Sequence, residues 1–322
     1  MNQQTYLHVQ ENKKYTAHLA GNVLTVTGSE MGTEIPATAS EGQAATFNVE
    51  ESADKIQLLS KNATAGSSLV AMEHLFTHKP DLKAIALNQQ SVVRADFYQN
   101  PSLWCAYGTQ NVKPEQWMYS GNVYHPIRPQ QKPGELLYSR YIPSIGKTLS
   151  FRVMDVERDL KTFHFWHNQP YVNEFWELAK PEAELKEYIE KGLADLHSIP
   201  TFVEFDGVPV GYFEMYWTLE DRLGPYYESE AFDRGFHLLI GNMDYLGFKN
   251  TDAILKSATH YLFLEEPRTR KIMAEPRSDN QRIIRYVETF SAWKKLKEFD
   301  FPHKRAALLE CRRERFFMGN FL

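Results

Sequence analysis

Phe232-Asp233-Arg234-Gly235-Phe236-His237-Leu238-Leu239-Ile240-Gly241 is an apolar, strand-like run with one histidine inside it. A loop, 242–250, follows, and then a helix-like segment. After that comes Lys271-Ile272-Met273-Ala274-Glu275-Pro276, a second apolar run with one carboxylate near its end. Short apolar runs bounded by Gly, Pro and Asn read as strands. The unit is therefore strand–loop–helix–strand, and a helical crossover makes its two strands parallel. On adjacent parallel strands, His237 and Glu275 can face one cleft. Each residue also has a plain structural account: a hydrogen-bonded core histidine, and a strand-end salt bridge.

The segments around this unit predict an α+β half with a mainly antiparallel sheet. Leu149–Met154 reads as a strand and Asp155 as the cap of a helix over 156–167. Tyr171–Glu177 has helical spacing, and 181–197 is a charged amphipathic helix with Pro181 in its first turn. Thr201–Phe205 and Val208–Trp217 form a hairpin about Asp206-Gly207. A loop, 218–231, leads into the opening stretch. Beyond it, 280–288 reads as a helix, and 295–301 and 305–310 as the last strands.

Residues 1–120 read as a smaller α/β domain. Strands are expected at 22–27, 55–59 and 83–88, and a helix at 67–78 capped by Ser67 or Ser68 and stopped by Pro80. Residues 121–147, punctuated by Pro126, Pro129, Pro133 and Pro143, read as an extended connector. The catalytic domain is then 148–322. Leu75-Phe76, Pro80 and 83–88 echo Leu262-Phe263, Pro267 and 270–275 at one constant offset, with Asn88 where the second copy has Glu275. The echo is either a chance likeness of helix–Pro–strand units or a duplicated fold whose first copy has lost its carboxylate.

The bulk numbers narrow the function classes. In 322 residues, 43% hydrophobic content supports a sizeable core, and 24% charged content argues against disorder. A net charge of −5 gives no basic excess for nucleic acid or an anionic membrane. No apolar run is long enough to span a membrane, and no signal peptide is visible, so a cytoplasmic protein is expected. Two distant cysteines, Cys105 and Cys311, make no disulfide framework and read as reduced core thiols. No histidines, cysteines or carboxylates stand at metal-ligand spacing. The absence of a Gly-x-Ser-x-Gly or activated-cysteine motif argues against an acyl-enzyme.

Several motifs in one order carry a resemblance: FHFWHNQPYVNEFW (163–176), GYFEMYW (211–217), FDRGFHLLIG (232–241), EPRT (266–269), EPRSDN (275–280) and KEFDFPHKR (297–305). Over residues 120–322 the chain resembles the acyl-CoA N-acyltransferase (GNAT) superfamily. More narrowly, it resembles the siderophore-biosynthesis branch that acylates N-hydroxylated amines, such as the N6-hydroxylysine acetyltransferases of aerobactin synthesis. The likeness is poor over 1–120. It implies a GNAT fold; on the duplication reading of the echo, the smaller domain before it is a degenerate GNAT-like copy.

The resemblance also implies roles. His237 falls on the family's catalytic histidine and Glu275 on its acidic residue, so the two should flank the substrate's N-hydroxyl group. An ordinary histidine pKa of about 6.5 suits a base that removes a proton as the tetrahedral intermediate forms. Gly247, Phe248, Lys249, Asn250 and Thr251 open a helix where the family binds the CoA pyrophosphate; the usual glycine pattern there is incomplete. Leu239 and Asn280 join the cofactor set, Asn280 as a pantetheine contact or a plain helix cap. Trp176, Trp217, Asp233 and Arg234 are the implied substrate-binding residues. The expected reaction is direct acyl transfer, acetyl-CoA first among donors, to N6-hydroxylysine, N-hydroxyputrescine or N-hydroxycadaverine, with a siderophore synthetase downstream. One rival is a transferase acting on another amine, such as an aminoglycoside, which needs a carboxylate-lined cleft; Glu220, Asp221, Glu228 and Glu230 keep it open. The other rival is a non-catalytic CoA-binding module.

Overall fold

The computed structural model describes residues 3–30, 44–52, 55–106 and 115–322. Strands β1 (Gln4–His8), β2 (Lys13–Ala20), β3 (Val23–Glu30), β4 (Ala44–Ser52), β5 (Lys55–Leu59), β6 (Ala84–Leu87) and β7 (Gln90–Val93) form one sheet in chain order. Helix α1 (Ala65–His78) crosses from β5 to β6 and makes that pair parallel. Its cap is Thr64, not Ser67 or Ser68: Thr64 and Ser67 close a reciprocal capping box. A four-residue helix, α2 (Arg94–Phe97), follows β7.

The expected connector is not featureless. It holds most of a hairpin of β8 (Trp117–Ser120) and β9 (Val123–Pro126). It also holds β10 (Leu136–Ile142), an edge strand of the second sheet. The prolines stand at or outside the ends of these strands, where a missing N–H costs no ladder bond. Only the segment between β9 and β10 matches the extended expectation.

The second sheet adds β11 (Lys147–Val153), β12 (Ser198–Phe205), β13 (Val208–Trp217), β14 (Arg234–Ile240), β15 (Lys271–Ala274), β16 (Trp293–Asp300) and β17 (Arg305–Arg312). Their order is β10-β11-β12-β13-β14-β15-β17-β16. Helices α3 (Val156–His167), α4 (Pro170–Trp176) and α5 (Glu182–Ala194) come between β11 and β12. Helix α6 (Phe248–Glu265) crosses from β14 to β15, α7 (Gln281–Thr289) precedes β16, and α8 (Arg313–Met318) follows β17. Asp155 caps α3 as expected, accepting from the Glu157 and Arg158 amides. Asp206 and Gly207 both have positive φ, as a tight two-residue hairpin turn requires.

Side-chain alternation sorts the second sheet into two faces. Phe202, Tyr212 and Leu239 pack with Phe163, Trp166, Leu185 and Ile189 under α3–α5. Val203, Phe213 and Phe236 face α6 and a core continuous with that of the first sheet. Cys105 and Cys311 are buried free thiols. No helix among the described residues is long and apolar enough to cross a membrane.

One difference between the sheets matters for function. The parallel pair β5–β6 is zipped along four residues of each strand, Lys55–Leu58 against Ala84–Leu87. The parallel pair β14–β15 is joined only at Arg234/Ile272 and Gly235/Met273. Past that point the two strands part, and the second sheet is split from Phe236 onward.

Buried polar contacts lock the two sheets together. Arg140 of β10 pairs with Glu73 of α1 at 3.4 Å, both side chains buried. Tyr138 bonds His260 of α6 at 2.9 Å, and the other His260 nitrogen bonds the Tyr98 carbonyl at 2.7 Å. Glu73→Ala would strand the Arg140 guanidinium. The expected loss is about 3 kcal/mol, read as a lower denaturant midpoint with an unchanged slope; an unmoved midpoint contradicts this role.

Candidate active site

His237 is the sixth residue of the opening run and lies two residues past Gly235, the last residue of β14 that pairs with β15. Its ring is held from both sides. Nδ1 lies 3.0 Å from Glu214 Oε2 on β13, directly opposite in register. Nε2 lies 2.8 Å from Glu275 Oε1, just beyond the end of β15. Tyrosines hold the carboxylates in turn. Tyr216 donates to Glu275 Oε2 at 2.7 Å, and Tyr188 of α5 donates to Glu214 Oε1. Lys304 donates to the Glu275 carbonyl at 2.7 Å, with its Nζ 3.7 Å from Oε1.

This geometry revises the electrostatic expectation for His237. Burial disfavours an imidazolium, but Glu275 and then Glu214 outweigh it and raise the pKa to about 10. The resting ring is therefore charged at neutral pH, not poised near 6.5. Burial would push both carboxylates up. His237 instead draws Glu275 well below the usual range, with help from Lys304 and Tyr216. His237, Tyr188 and Tyr212 lower Glu214.

Gly235 makes room for this arrangement. A Cβ there would strike the Tyr216 ring and hydroxyl, and Tyr216 is fully buried. Trp176 stands edge-on to the imidazole, with ring centres 6.3 Å apart.

The trio opens into a cleft of about 1220 Å³. One arm is polar, lined by Glu177, Asp221, Arg222 and His303. The other is apolar, lined by Phe236, Leu238, Leu255, Ile283 and Val287.

The expected residues divide. His237, Glu275, Trp176 and Asn280 line the cleft. Asn280 also caps α7, accepting from the Ile283 amide at 3.4 Å. Trp217, Asp233 and Arg234 do not line it. Arg234 is fully buried, ion-paired with Glu265, and lies 3.8 Å from the Trp217 ring centre. Asp233 accepts from Tyr227 at 2.9 Å and lies 3.3 Å from Lys271. These residues fasten the closed end of the β14–β15 pair, and the structure does not bring them into the cleft with His237 and Glu275. The Leu239 side chain packs under α3–α5, which leaves only its main chain for a donor.

Gly247, at φ 143°, is the N-cap of α6, and no side chain caps that end. Phe248, Lys249, Asn250 and Thr251 form its first turn, outside the cleft lining. Sequence reasoning missed Glu214, Tyr216, Arg222 and Lys304 as site residues. A signal for Glu214 existed: Tyr212, Glu214 and Tyr216 alternate on one face of an otherwise apolar strand.

A sheet split between parallel strands, with a charged histidine at the split, defines the class of site. The acetyltransferase (GNAT) domain family matches residues 155–301. An N(6)-hydroxylysine O-acetyltransferase of Escherichia coli is 36% identical over 266 residues, 77% of this chain and 84% of the relative. An N(5)-hydroxyornithine:cis-anhydromevalonyl coenzyme A-N(5)-transacylase of Beauveria bassiana is 38% identical over 60% of this chain, which spans 43% of that relative. Among solved structures, an uncharacterised Bacillus halodurans protein superposes with a TM-score of 0.54 at 29% identity, covering 59% of this chain and 96% of its own. The chain belongs to the GNAT family of N-acyltransferases.

Gly235→Ala should displace Tyr216 from Glu275 and lower stability by about 1–3 kcal/mol. Thermal melting and the Tyr216 position in a variant structure check this; an unmoved tyrosine at wild-type stability contradicts it.

Proposed function

We propose that this enzyme transfers an acyl group, acetyl first among candidates, from acyl-CoA to the nitrogen of an N-hydroxylated amine, forming a hydroxamate for siderophore biosynthesis. The observation that carries the proposal is His237, held between Glu214 and Glu275 where β14 and β15 part. The relatives' activities on hydroxylysine and hydroxyornithine support the acceptor class. The uncapped start of α6 supports a CoA pyrophosphate there, because its free N–H groups and helix dipole favour an anion. The apolar arm suits the pantetheine, with Asn280 beside it.

In this mechanism the hydroxylated nitrogen attacks the thioester carbon. N-hydroxylation has already lowered its basicity, so it arrives largely neutral. The nitrogen's proton passes to the His237–Glu275 pair as the C–N bond forms. The C–S bond then breaks, and the CoA thiolate leaves and takes up a proton. Glu214 holds the Nδ1–H, which leaves Nε2 as the nitrogen facing Glu275 and the substrate. No residue is acylated.

The four carboxylates that would serve a polycationic acceptor divide. Asp221 lines the cleft; Glu220 lines it too but is forked on Arg128 at 2.6 and 2.7 Å; Glu228 and Glu230 do not line it. The N-terminal sheet is read as a non-catalytic copy of the same unit. Its zipped β5–β6 pair leaves no split, and Asn88, where Glu275 stands in the second copy, accepts from the Ser60 amide.

Two outcomes test the mechanism. His237→Ala should lower kcat about 10²–10⁴-fold, measured as thiol release from saturating acetyl-CoA with N6-hydroxylysine; a near-wild-type rate contradicts a base at this position. The pH dependence has a definite sign. Only neutral His237 accepts a proton, and its pKa is raised, so kcat/KM should climb through pH 7–9 and not level off near 7. Glu275→Gln removes the largest raising influence, so its rise should come at lower pH. A wild-type plateau from pH 7 contradicts this.

A further inference from the structure

Arg222 lies on the loop between β13 and β14, and its half-exposed guanidinium stands in the cleft. Its Nη2 is 3.4 Å from His237 Nε2 and 3.6 Å from Glu275 Oε1, and its Cζ is 5.7 Å from the Phe301 ring centre. The first contact sets donor against donor, because His237 directs its own N–H to Glu275. The second is too long for a hydrogen bond. Of the other cations that line the cleft, Lys191 is exposed on α5 and Arg305 pairs with Glu298 and Asp300; three more are engaged. Lys304 donates to the Glu275 carbonyl, Arg277 is forked on Asp279, and His197 pairs with Asp195 at 2.6 Å. Arg222 thus presents a planar set of donors, one corner against the imidazole and the rest toward the cleft.

A guanidinium fork matches a carboxylate in two parallel hydrogen bonds. We propose that Arg222 recognises a carboxylate on the acceptor, so that the acceptor is an N-hydroxy amino acid and not an N-hydroxy diamine. This rests on the acyl-transfer reading above. In N6-hydroxylysine roughly 6 Å of extended chain separates the hydroxylated nitrogen from the α-carbon. With that nitrogen at His237, the carboxylate reaches past the near corner of the guanidinium to its open edge. It also neutralises a cation lying against a charged imidazole. A diamine offers Arg222 no carboxylate and brings its far amine toward the same guanidinium, so Arg222 selects against it.

The test uses the full chain with acetyl-CoA and two acceptors that differ only in the carboxylate, N6-hydroxylysine and N-hydroxycadaverine. Wild type is expected to favour the amino acid about 10–100-fold in kcat/KM, mainly through KM. Arg222→Gln should reduce that preference to about threefold or less, and Arg222→Lys, which keeps the charge but not the fork, should retain part of it. Equal use of the two amines by wild type, or an unchanged preference in Arg222→Gln, overturns the assignment. If Arg222→Gln shows no cooperative melt, the wild-type preference and Arg222→Lys decide. Acylation of neither amine by wild type defeats the acyl-transfer reading, and the Arg222 assignment with it. Acylation of both with an unchanged preference defeats the Arg222 assignment alone.

Discussion

Glu275 keeps its charge in a buried position, and much of the site follows from that. An isolated buried carboxylate takes up a proton because burial penalises the ion. Here His237, Tyr216 and Lys304 converge on it. Each partner constrains another part of the fold. Tyr216 needs Gly235 bare beneath its ring. His237 needs Glu214 opposite it in the β13–β14 register, since a slip of one residue would turn the carboxylate to the far face. Tyr188 then ties Glu214 to α5.

The same residues explain why the sheet opens where it does. Arg234 and Glu265, with Trp217 against the guanidinium, fasten the start of the parallel pair. Two residues later the strands separate, and the charged trio occupies the gap. The first sheet has the same strand–helix–strand order without such a trio, and its parallel pair stays closed along its length.

Legibility in the sequence followed the range of the interactions. The β14–α6–β15 unit, the Asp155-capped helix and the Asp206-Gly207 hairpin rest on local periodicity, caps and turn chemistry, and they lie where expected. Strands β1, β2, β4 and β7 escaped notice because mixed polar and apolar residues blur a period of two when one face meets solvent. Strand β10 was hidden by neighbouring prolines that flank it without entering it. At the site, His237 and Glu275 stood out as polar residues in apolar runs. Asp233 and Arg234 share the histidine's motif and Trp217 closes the GYFEMYW motif, but their roles depend on Glu265, Tyr227 and Lys271, which sequence spacing does not reveal. Arg222 left no local trace because its place depends on how the loop after β13 folds back over the cleft.

The charge on His237 is the central claim, because the geometry of the trio and the proton transfer both depend on it. Imidazole ¹⁵N shifts across pH 5–10 report that charge directly, and a His237→Gln spectrum singles out this ring among the 11 histidines. The account predicts an imidazolium throughout neutral pH that titrates near 10. A midpoint near the ordinary 6.5 would contradict it.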